Sequence, residues 1–149
     1  MTTLHKILSD TNHIRHATDA GTHMHVKLKR VCVAPNNTTG DTDVVKKICA
    51  NPTLAQLFGP ESRTEVPIAG TLNGRFISRR IDRLLINHAD KCICILDYKT
   101  DIDKAERHAQ YVSQIREYAA LLRGIHPDYH MVGYILWTHD FSLEKIIVS

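Results

Sequence analysis

The sequence contains no apolar run close to the ~18 residues that a membrane-spanning helix requires, and its first residues lack the apolar core of a secretory signal peptide. It also contains no Gly-x-x-x-x-Gly-Lys-Ser/Thr loop, which excludes ATP hydrolysis by a P-loop mechanism. These absences predict a cytoplasmic protein that does not enter a membrane and binds no nucleotide cofactor.

Cysteines are few, and their spacing fits no metal or redox site. Of the four, Cys92 and Cys94 lie one residue apart within an apolar run, and Cys32 and Cys49 are isolated. Zinc knuckles and iron–sulfur clusters need several thiolates at closer or more regular spacings. We therefore interpret Cys92 and Cys94 as small buried or half-buried strand residues, and the cysteines agree with a cytoplasmic setting.

The charge is mildly basic, with a formal net charge of +3 and a pI near 8.7. Two groups of cations stand out in the sequence: Lys27, Lys29 and Arg30, and then Arg75, Arg79, Arg80 and Arg83. This distribution permits a polyanionic partner, but such groups are usually solvated surface. Charge alone therefore leaves nucleic-acid contact undecided.

The 149 residues predict one α/β domain, with residues 1–12 as a loosely ordered extension. Three- and four-residue apolar steps predict helices over 13–31, 41–49 and 103–123, with one further turn over 54–58. Apolar runs between turn residues predict strands over 63–70, 75–87, 91–98, 129–137 and 143–148. The predicted order is helices, a three-strand meander, a long helix and two more strands, which together form a mixed sheet flanked by helices.

The strand over 91–98 ends in a group of charges. Asp97 and Lys99 are two residues apart and so face the same way. Pairing with the preceding strand puts Asp82 directly opposite Asp97, or diagonal to it if the turn shifts by one residue. Either register brings two carboxylates within about 5–8 Å at Cβ, where they need a cation between them. Mg²⁺ meets this need, with the Tyr98 carbonyl as a further ligand and Lys99 beside a scissile phosphate.

A surface salt-bridge cluster of Asp82, Arg83, Asp97 and Lys99 is the alternative explanation, and spacing alone does not separate the two. The position of Asp97 and Lys99 at the end of an apolar strand favours a functional site. Charges there are costly unless they are paired or used.

Four further residues are candidates for the same site. Glu65 begins the strand that leads into the meander, where it would contact a metal directly or through water. His25 lies at the margin of the first helix's apolar stripe, a position more often held by an ordinary core or surface histidine. Gln114 and Tyr118 are four residues apart and share a helix face, and a simple amphipathic face explains them equally well.

Taken in order, these residues resemble a known pattern. His25, Glu65, Ile81-Asp82-Arg83, Asp97-Tyr98-Lys99-Thr100 and Gln114-Ile-Arg-Glu-Tyr118 are similar to the RecB-type nuclease domain, a branch of the PD-(D/E)XK superfamily. The resemblance runs from about residue 13 to the C-terminus and is to domains of the kind found at the C-terminus of the AddA helicase–nuclease subunit.

The resemblance implies a restriction-endonuclease-like core and a DNA nuclease of the exonuclease type that depends on Mg²⁺ or Mn²⁺. It implies that His25, Asp82, Asp97 and the Tyr98 carbonyl bind the metal and that Lys99 is catalytic with the two aspartates. Gln114, Tyr118 and Arg83 would support the site or contact DNA. The expected substrate is single-stranded DNA or DNA ends in double-strand break repair and recombination, with a helicase–nuclease subunit as partner.

Two departures keep an alternative open. The family pattern has a glycine just before Ile-Asp-Arg, where this chain has Arg79-Arg80, and the helicase motor is absent from this sequence. The alternative is a catalytically weakened nuclease fold that acts as a DNA-binding or partner-docking module.

Overall fold

The computed structural model describes residues 23–148. The helices comprise residues 23–29 (α1), Thr42–Cys49 (α2), Pro52–Leu57 (α3) and His108–Ile125 (α4). The strands are Arg63–Leu72 (β1), Arg75–Asn87 (β2), Cys92–Lys99 (β3), His130–Trp137 (β4) and Ser142–Ile146 (β5). The predicted extension 1–12 and the part of the first helix predicted over 13–22 lie outside the described residues.

The five strands form one mixed sheet in the order β1-β2-β3-β4-β5. Strands β1, β2 and β3 form an antiparallel meander, β4 runs parallel to β3, and β5 is antiparallel to β4. A parallel pair needs a long crossover between its strands, and α4 supplies it. The predicted α/β class and the mixed sheet flanked by helices are confirmed.

Each face of the sheet has its own apolar core. Helix α4 covers one face, whose core includes Ile81, Ile95, Ile115, Tyr118 and Trp137. Helices α1, α2 and α3 cover the other, whose core includes Leu28, Ile48, Phe58, Leu96 and Tyr98. Strand β3 contributes to both cores, as alternation of side chains along a central strand requires.

Local sequence signals explain most of the element ends. The Asp41 carboxylate accepts backbone N–H groups at the start of α2, and Asn51 does the same for α3, with Pro52 in its first turn. Asn73 and Gly74 both have positive φ, of 52° and 78°, which suits a two-residue turn between β1 and β2. The Asn51-Pro52 pair that follows α2 also begins α3.

The long helix starts later than predicted, at His108 instead of residue 103. The segment before it folds as turns, because Asp103 Oδ1 accepts the N–H of Ala105 at 3.0 Å and competes with helical bonding. Asp101 accepts the hydroxyl of Tyr111 at 2.8 and 2.9 Å, which fixes this segment to the helix. The first turn of α4 therefore lies beside the end of β3.

Among residues 23–148, no helix is both long and apolar enough to cross a membrane.

Gly133 in β4 provides a test of how tightly α4 packs on the sheet. A Cβ there would lie 2.6 Å from the Ile115 side chain and 2.9 Å from the Val148 side chain, both stiff and β-branched. We expect Gly133→Ala to lower the free energy of unfolding by about 1–3 kcal/mol in urea denaturation. Gly70→Ala is the control, because its Cβ would meet only the flexible end of Leu121. Equal effects of the two substitutions would contradict this packing.

Candidate functional site

The candidate site lies where β2 and β3 separate. Their ladder runs from Asn87↔Cys92 to Arg83↔Leu96, so the next pair in this register is Asp82 and Asp97. Here Oδ2 of Asp82 accepts the backbone N–H of Tyr98 at 2.8 Å, from one strand to the other. The register places the two carboxylates opposite one another, which is the first of the two arrangements predicted from the sequence.

Asp97 is a buried carboxylate with unused acceptor capacity. The residue is 3% exposed, and its Oδ2 lies 2.8 Å from Nζ of Lys99. The contact is an ion pair without hydrogen-bond geometry, so within the described part of the chain this oxygen has no hydrogen-bond donor. A buried acceptor in this state is costly unless a further cation or donor approaches it.

The pKa of Asp82 is raised by the same buried, acidic surroundings. Burial and the nearby Asp97 raise its pKa to about 8, while the Tyr98 N–H and Lys99 act in the opposite direction. At neutral pH, the pair therefore retains a proton on Asp82 when no cation is bound. A divalent ion would replace this proton and neutralise both carboxylates.

His25 on α1 points to the same place from the other side of the strands. Its Nε2 lies 3.4 Å from the Tyr98 carbonyl oxygen and 3.9 Å from Oδ2 of Asp82. The imidazole also packs edge-on against the Tyr98 ring, with 5.3 Å between ring centroids. His25 thus lies beside Asp82 and the Tyr98 carbonyl, and Asp97 lies opposite Asp82 on the neighbouring strand.

Lys99 is held in place by a chain of polar contacts from α4. Its ammonium donates to Oε1 of Gln114 at 3.1 Å, and Nε2 of Gln114 donates to the Tyr118 hydroxyl at 2.9 Å. The ammonium also lies 4.2 Å from the centre of the Tyr111 ring. The sequence argument identified Gln114 and Tyr118 but missed Tyr111, although its position three residues before Gln114 puts it on the same helix face.

Arg83 does not face solvent, and its predicted role as a DNA contact does not fit its position. The residue is 3% exposed. Its guanidinium donates to the Tyr98 hydroxyl at 3.0 Å, to Ser62 Oγ at 2.6 Å, and to the carbonyls of Leu28 and Val31 at 3.0 Å each. The buried guanidinium uses its N–H groups for these contacts inside the protein. Arg83 therefore supports the site by holding α1 and β3 together.

Glu65 is level with Asp82 in the β1–β2 register, but its carboxylate is engaged elsewhere. The backbone at Glu65 is left-handed, with φ of 50°, and no ladder pair forms there. Its Oε2 accepts from Nζ of Lys29 at 3.1 Å and lies 4.0 Å from Nη1 of Arg80. Among the described residues, no contact joins the Glu65 carboxylate to Asp82 or Asp97.

The donor set fits a hard divalent cation. Two carboxylates and a backbone carbonyl are ligands that suit Mg²⁺ and Mn²⁺, and the buried Oδ2 of Asp97, paired with the Lys99 ammonium, accepts no hydrogen bond from the described residues. Within residues 23–148, no three His, Cys, Asp or Glu side chains form a group that could hold a metal ion. Instead, His25 contacts the Tyr98 carbonyl, and Asp97 contacts Lys99. A bound cation would have to replace these contacts or share the same oxygens.

No protein-family model matches the sequence, and no curated protein matches it. A solved structure described as "Crystal structure of SSO0001" is similar to it, with a TM-score of 0.41 and 15% identity over 69% of this chain. The chain spans 48% of that structure's length. A TM-score of this size carries no argument about fold or function, and the resemblance to RecB-type nucleases stays a prediction.

The raised pKa of Asp82 makes metal-free stability depend on pH. Between its ordinary pKa of 3.8 and the folded value of about 8, the folded protein holds a proton that the unfolded chain has released. The free energy of unfolding therefore falls as the pH rises through this range. We expect Asp82→Asn to raise the Tm in EDTA by about 3–6 °C at pH 8 and to leave it nearly unchanged at pH 4. Asp128→Asn, at an exposed carboxyl, is the control, and a lower Tm of Asp82→Asn at pH 8 would contradict the assignment.

The Arg83 network predicts a large effect of a substitution that keeps the charge. Arg83→Lys retains a cation but cannot reach all four oxygen partners with one ammonium. We expect it to lower the free energy of unfolding by about 2–4 kcal/mol in urea denaturation, since buried acceptors lose their donors. Arg116→Lys, at an exposed arginine of α4, is expected to change it by less than about 0.5 kcal/mol. A similar small change for both would show that the buried fork is dispensable.

Proposed function

We propose that this domain is a DNA nuclease that hydrolyses phosphodiester bonds with a bound divalent cation, Mg²⁺ or Mn²⁺. The observation that carries the proposal is the buried acidic pair, with an unsatisfied Asp97 oxygen beside the ammonium of Lys99 on the same strand. The proposal includes a restriction-endonuclease-like core of the RecB type. Its support is the order of the elements and the convergence of the family-pattern residues at one end of β3.

In this proposal His25, Asp82, Asp97 and the carbonyl of Tyr98 hold the cation. When bound, the ion polarises the phosphate and makes a coordinated water acidic. Asp82 and Asp97 would supply the negative charge that retains it. The residues come from α1, β2 and β3, so the sheet fixes their spacing before any ligand arrives.

Lys99 has a separate task. Its ammonium is already placed by Gln114 and the Tyr111 ring, and it is only partly exposed. A preorganised cation beside the reacting phosphate stabilises the negative charge that develops on its oxygens. Tyr118 acts through Gln114, because the hydrogen bond from the Gln114 amide to its hydroxyl orients the amide oxygen toward Lys99.

The substrate in this proposal is single-stranded DNA or a DNA end. The wider role would be double-strand break repair or recombination, with the domain working beside a helicase–nuclease subunit. The net charge of +3 agrees with a polyanionic substrate but does not select DNA over RNA.

A second candidate is a non-catalytic module of the same fold that binds DNA or docks on a partner. It is favoured by Arg79, which stands where the family pattern has glycine, and by Glu65, whose carboxylate is bound to Lys29. This candidate expects salt-dependent DNA binding with no cleavage at any metal concentration.

Cleavage of linear and circular single-stranded DNA in Mg²⁺ or Mn²⁺ tests the proposal. We expect cleavage that EDTA abolishes and that Lys99→Ala lowers by at least about a hundredfold, because the phosphate loses its fixed cation. Lys91→Ala is the matched control, at an exposed lysine at the other end of β3, and should leave cleavage unchanged. Circular dichroism establishes that both variants fold.

Two outcomes would reject the nuclease. One is undiminished cleavage by purified Lys99→Ala, which would point to a contaminant. The other is a folded wild-type protein that binds DNA but cuts neither substrate in either metal, which would favour the non-catalytic module.

A further inference from the structure

A trough leads away from the acidic pair, between β2 and α4. Its first part is a cavity of about 410 Å³ whose lining includes Lys99, Arg79 and Gln114. A second cavity of about 300 Å³ is lined by Leu72, Asn73, Arg75, Ile77 and Glu117 and shares Glu117 with the first. The two cavities therefore adjoin and extend from the candidate site to the β1–β2 turn.

One wall of the trough is a two-stranded arm. Strand β2 pairs with β3 only from Arg83 onward, so residues 75–82 of β2 pair only with β1. Alternation along β2 puts Arg75 and Arg79 on the side of α4, and Ser78 and Arg80 on the opposite side. Arg75 and Arg79 thus face the trough, and Arg80 faces away from it.

The other wall is a polar stripe on α4. Gln110, Ser113, Gln114 and Glu117 recur at three- and four-residue steps, and all four line the first cavity. From first to last they span about 10 Å of helix at about 1.5 Å per residue. At about 3.4 Å per stacked nucleotide, this length matches about three nucleotides of one strand.

The charge of the trough suits a polyanion. Its lining contributes the cations of Lys99, Arg75 and Arg79, and Glu117 is the carboxylate among the described lining residues. Glu117 is already neutralised by Arg75, with 3.2 Å between Nη2 and Oε1. The stripe adds hydrogen-bonding side chains that can contact phosphate and sugar.

Arg79 differs from its neighbours in having no acidic partner among residues 23–148. Its Nη1 donates to the carbonyl of Ser78 at 3.0 Å, while Arg75 and Arg80 contact Glu117 and Glu65. Arg79 lines the first cavity together with Lys99 and Gln114, at the end of the trough next to the candidate site. Most N–H groups of the Arg79 guanidinium therefore have no hydrogen-bond acceptor among the described residues.

We propose that the trough between the β1–β2 arm and α4 is a binding subsite for one strand of nucleic acid, in which Arg79 holds the phosphate next to the one at Lys99. This rests on the proposed function, because it assigns the neighbouring phosphate to the reacting position. Contacts to phosphate and sugar make the binding independent of base sequence. The polar stripe of about 10 Å matches a short stretch of one backbone, so we expect a single strand to bind more tightly than a duplex.

Fluorescence anisotropy with a labelled oligothymidylate of about 20 nucleotides, in EDTA so that no cleavage occurs, tests the subsite. We expect Arg79→Gln to weaken binding about tenfold, as loss of a charge-assisted phosphate contact does. The slope of log Kd against log salt should fall by about 0.7, the value for one phosphate of a single strand. Arg80→Gln is the matched control, with the same charge change on the opposite face of the arm, and should change Kd by less than about twofold.

A second pair of variants tests the helix wall without touching an arginine. Ser113→Asp puts a carboxylate in the trough, and Ser78→Asp puts the same charge on the far face of the arm; both positions are exposed. We expect only Ser113→Asp to weaken binding. Equal effects within either pair, or a duplex of the same length bound as tightly as the single strand, would overturn the subsite.

The subsite and the nuclease can fail separately. Arg79-dependent binding by a protein that never cuts in Mg²⁺ or Mn²⁺ would support the subsite and reject the nuclease. Metal-dependent cleavage by a protein in which Arg79→Gln and Arg80→Gln bind alike would do the reverse.

Discussion

The buried guanidinium of Arg83 is the interaction on which the candidate site depends. It satisfies the carbonyls of Leu28 and Val31 at the end of α1, reaches the Tyr98 hydroxyl on β3, and lies 4.1 Å from the centre of the Phe58 ring. Helix ends leave several carbonyls without partners, and a buried end needs donors from elsewhere. One side chain therefore fixes α1 to the sheet, and with it the position of the His25 imidazole.

Tyr98 connects one of the two apolar cores to the candidate site. Its ring belongs to the core under α1, α2 and α3, while its carbonyl and N–H contact His25 and Asp82. The neighbours Asp97 and Lys99 point toward α4. Apolar packing on one side of the strand holds it in place, and this allows the strand to carry charged groups on its other side. Apolar packing of this strand offsets the unfavourable electrostatic energy of two close carboxylates. Groups with perturbed pKa values are often found at functional sites.

Much of the fold could be predicted from the sequence, because the periodicities are local: β2 begins and ends where the pattern indicates, and Asp82 and Asp97 fall in the expected register. The missing pieces depend on contacts distant in sequence. Nothing near Arg83 in the chain indicates that it would be buried, since its partners lie 15 to 55 residues away. Glu65 was predicted to contact a metal from its place at the start of the strand that leads into the meander, whereas its left-handed backbone and its ion pair with Lys29 hold the carboxylate elsewhere.

The parallel pairing of β3 with β4 has a consequence for the order of folding. The meander β1-β2-β3 closes through short turns and brings Asp82 and Asp97 together from nearby in the chain, which is fast. Strand β4 joins only after the chain has formed α4, and α1 must dock across more than 50 residues to reach Arg83. The two like charges thus meet early in folding, before Gln114 on α4 can orient Lys99 and before His25 arrives. Their repulsion opposes an early closure of the hairpin.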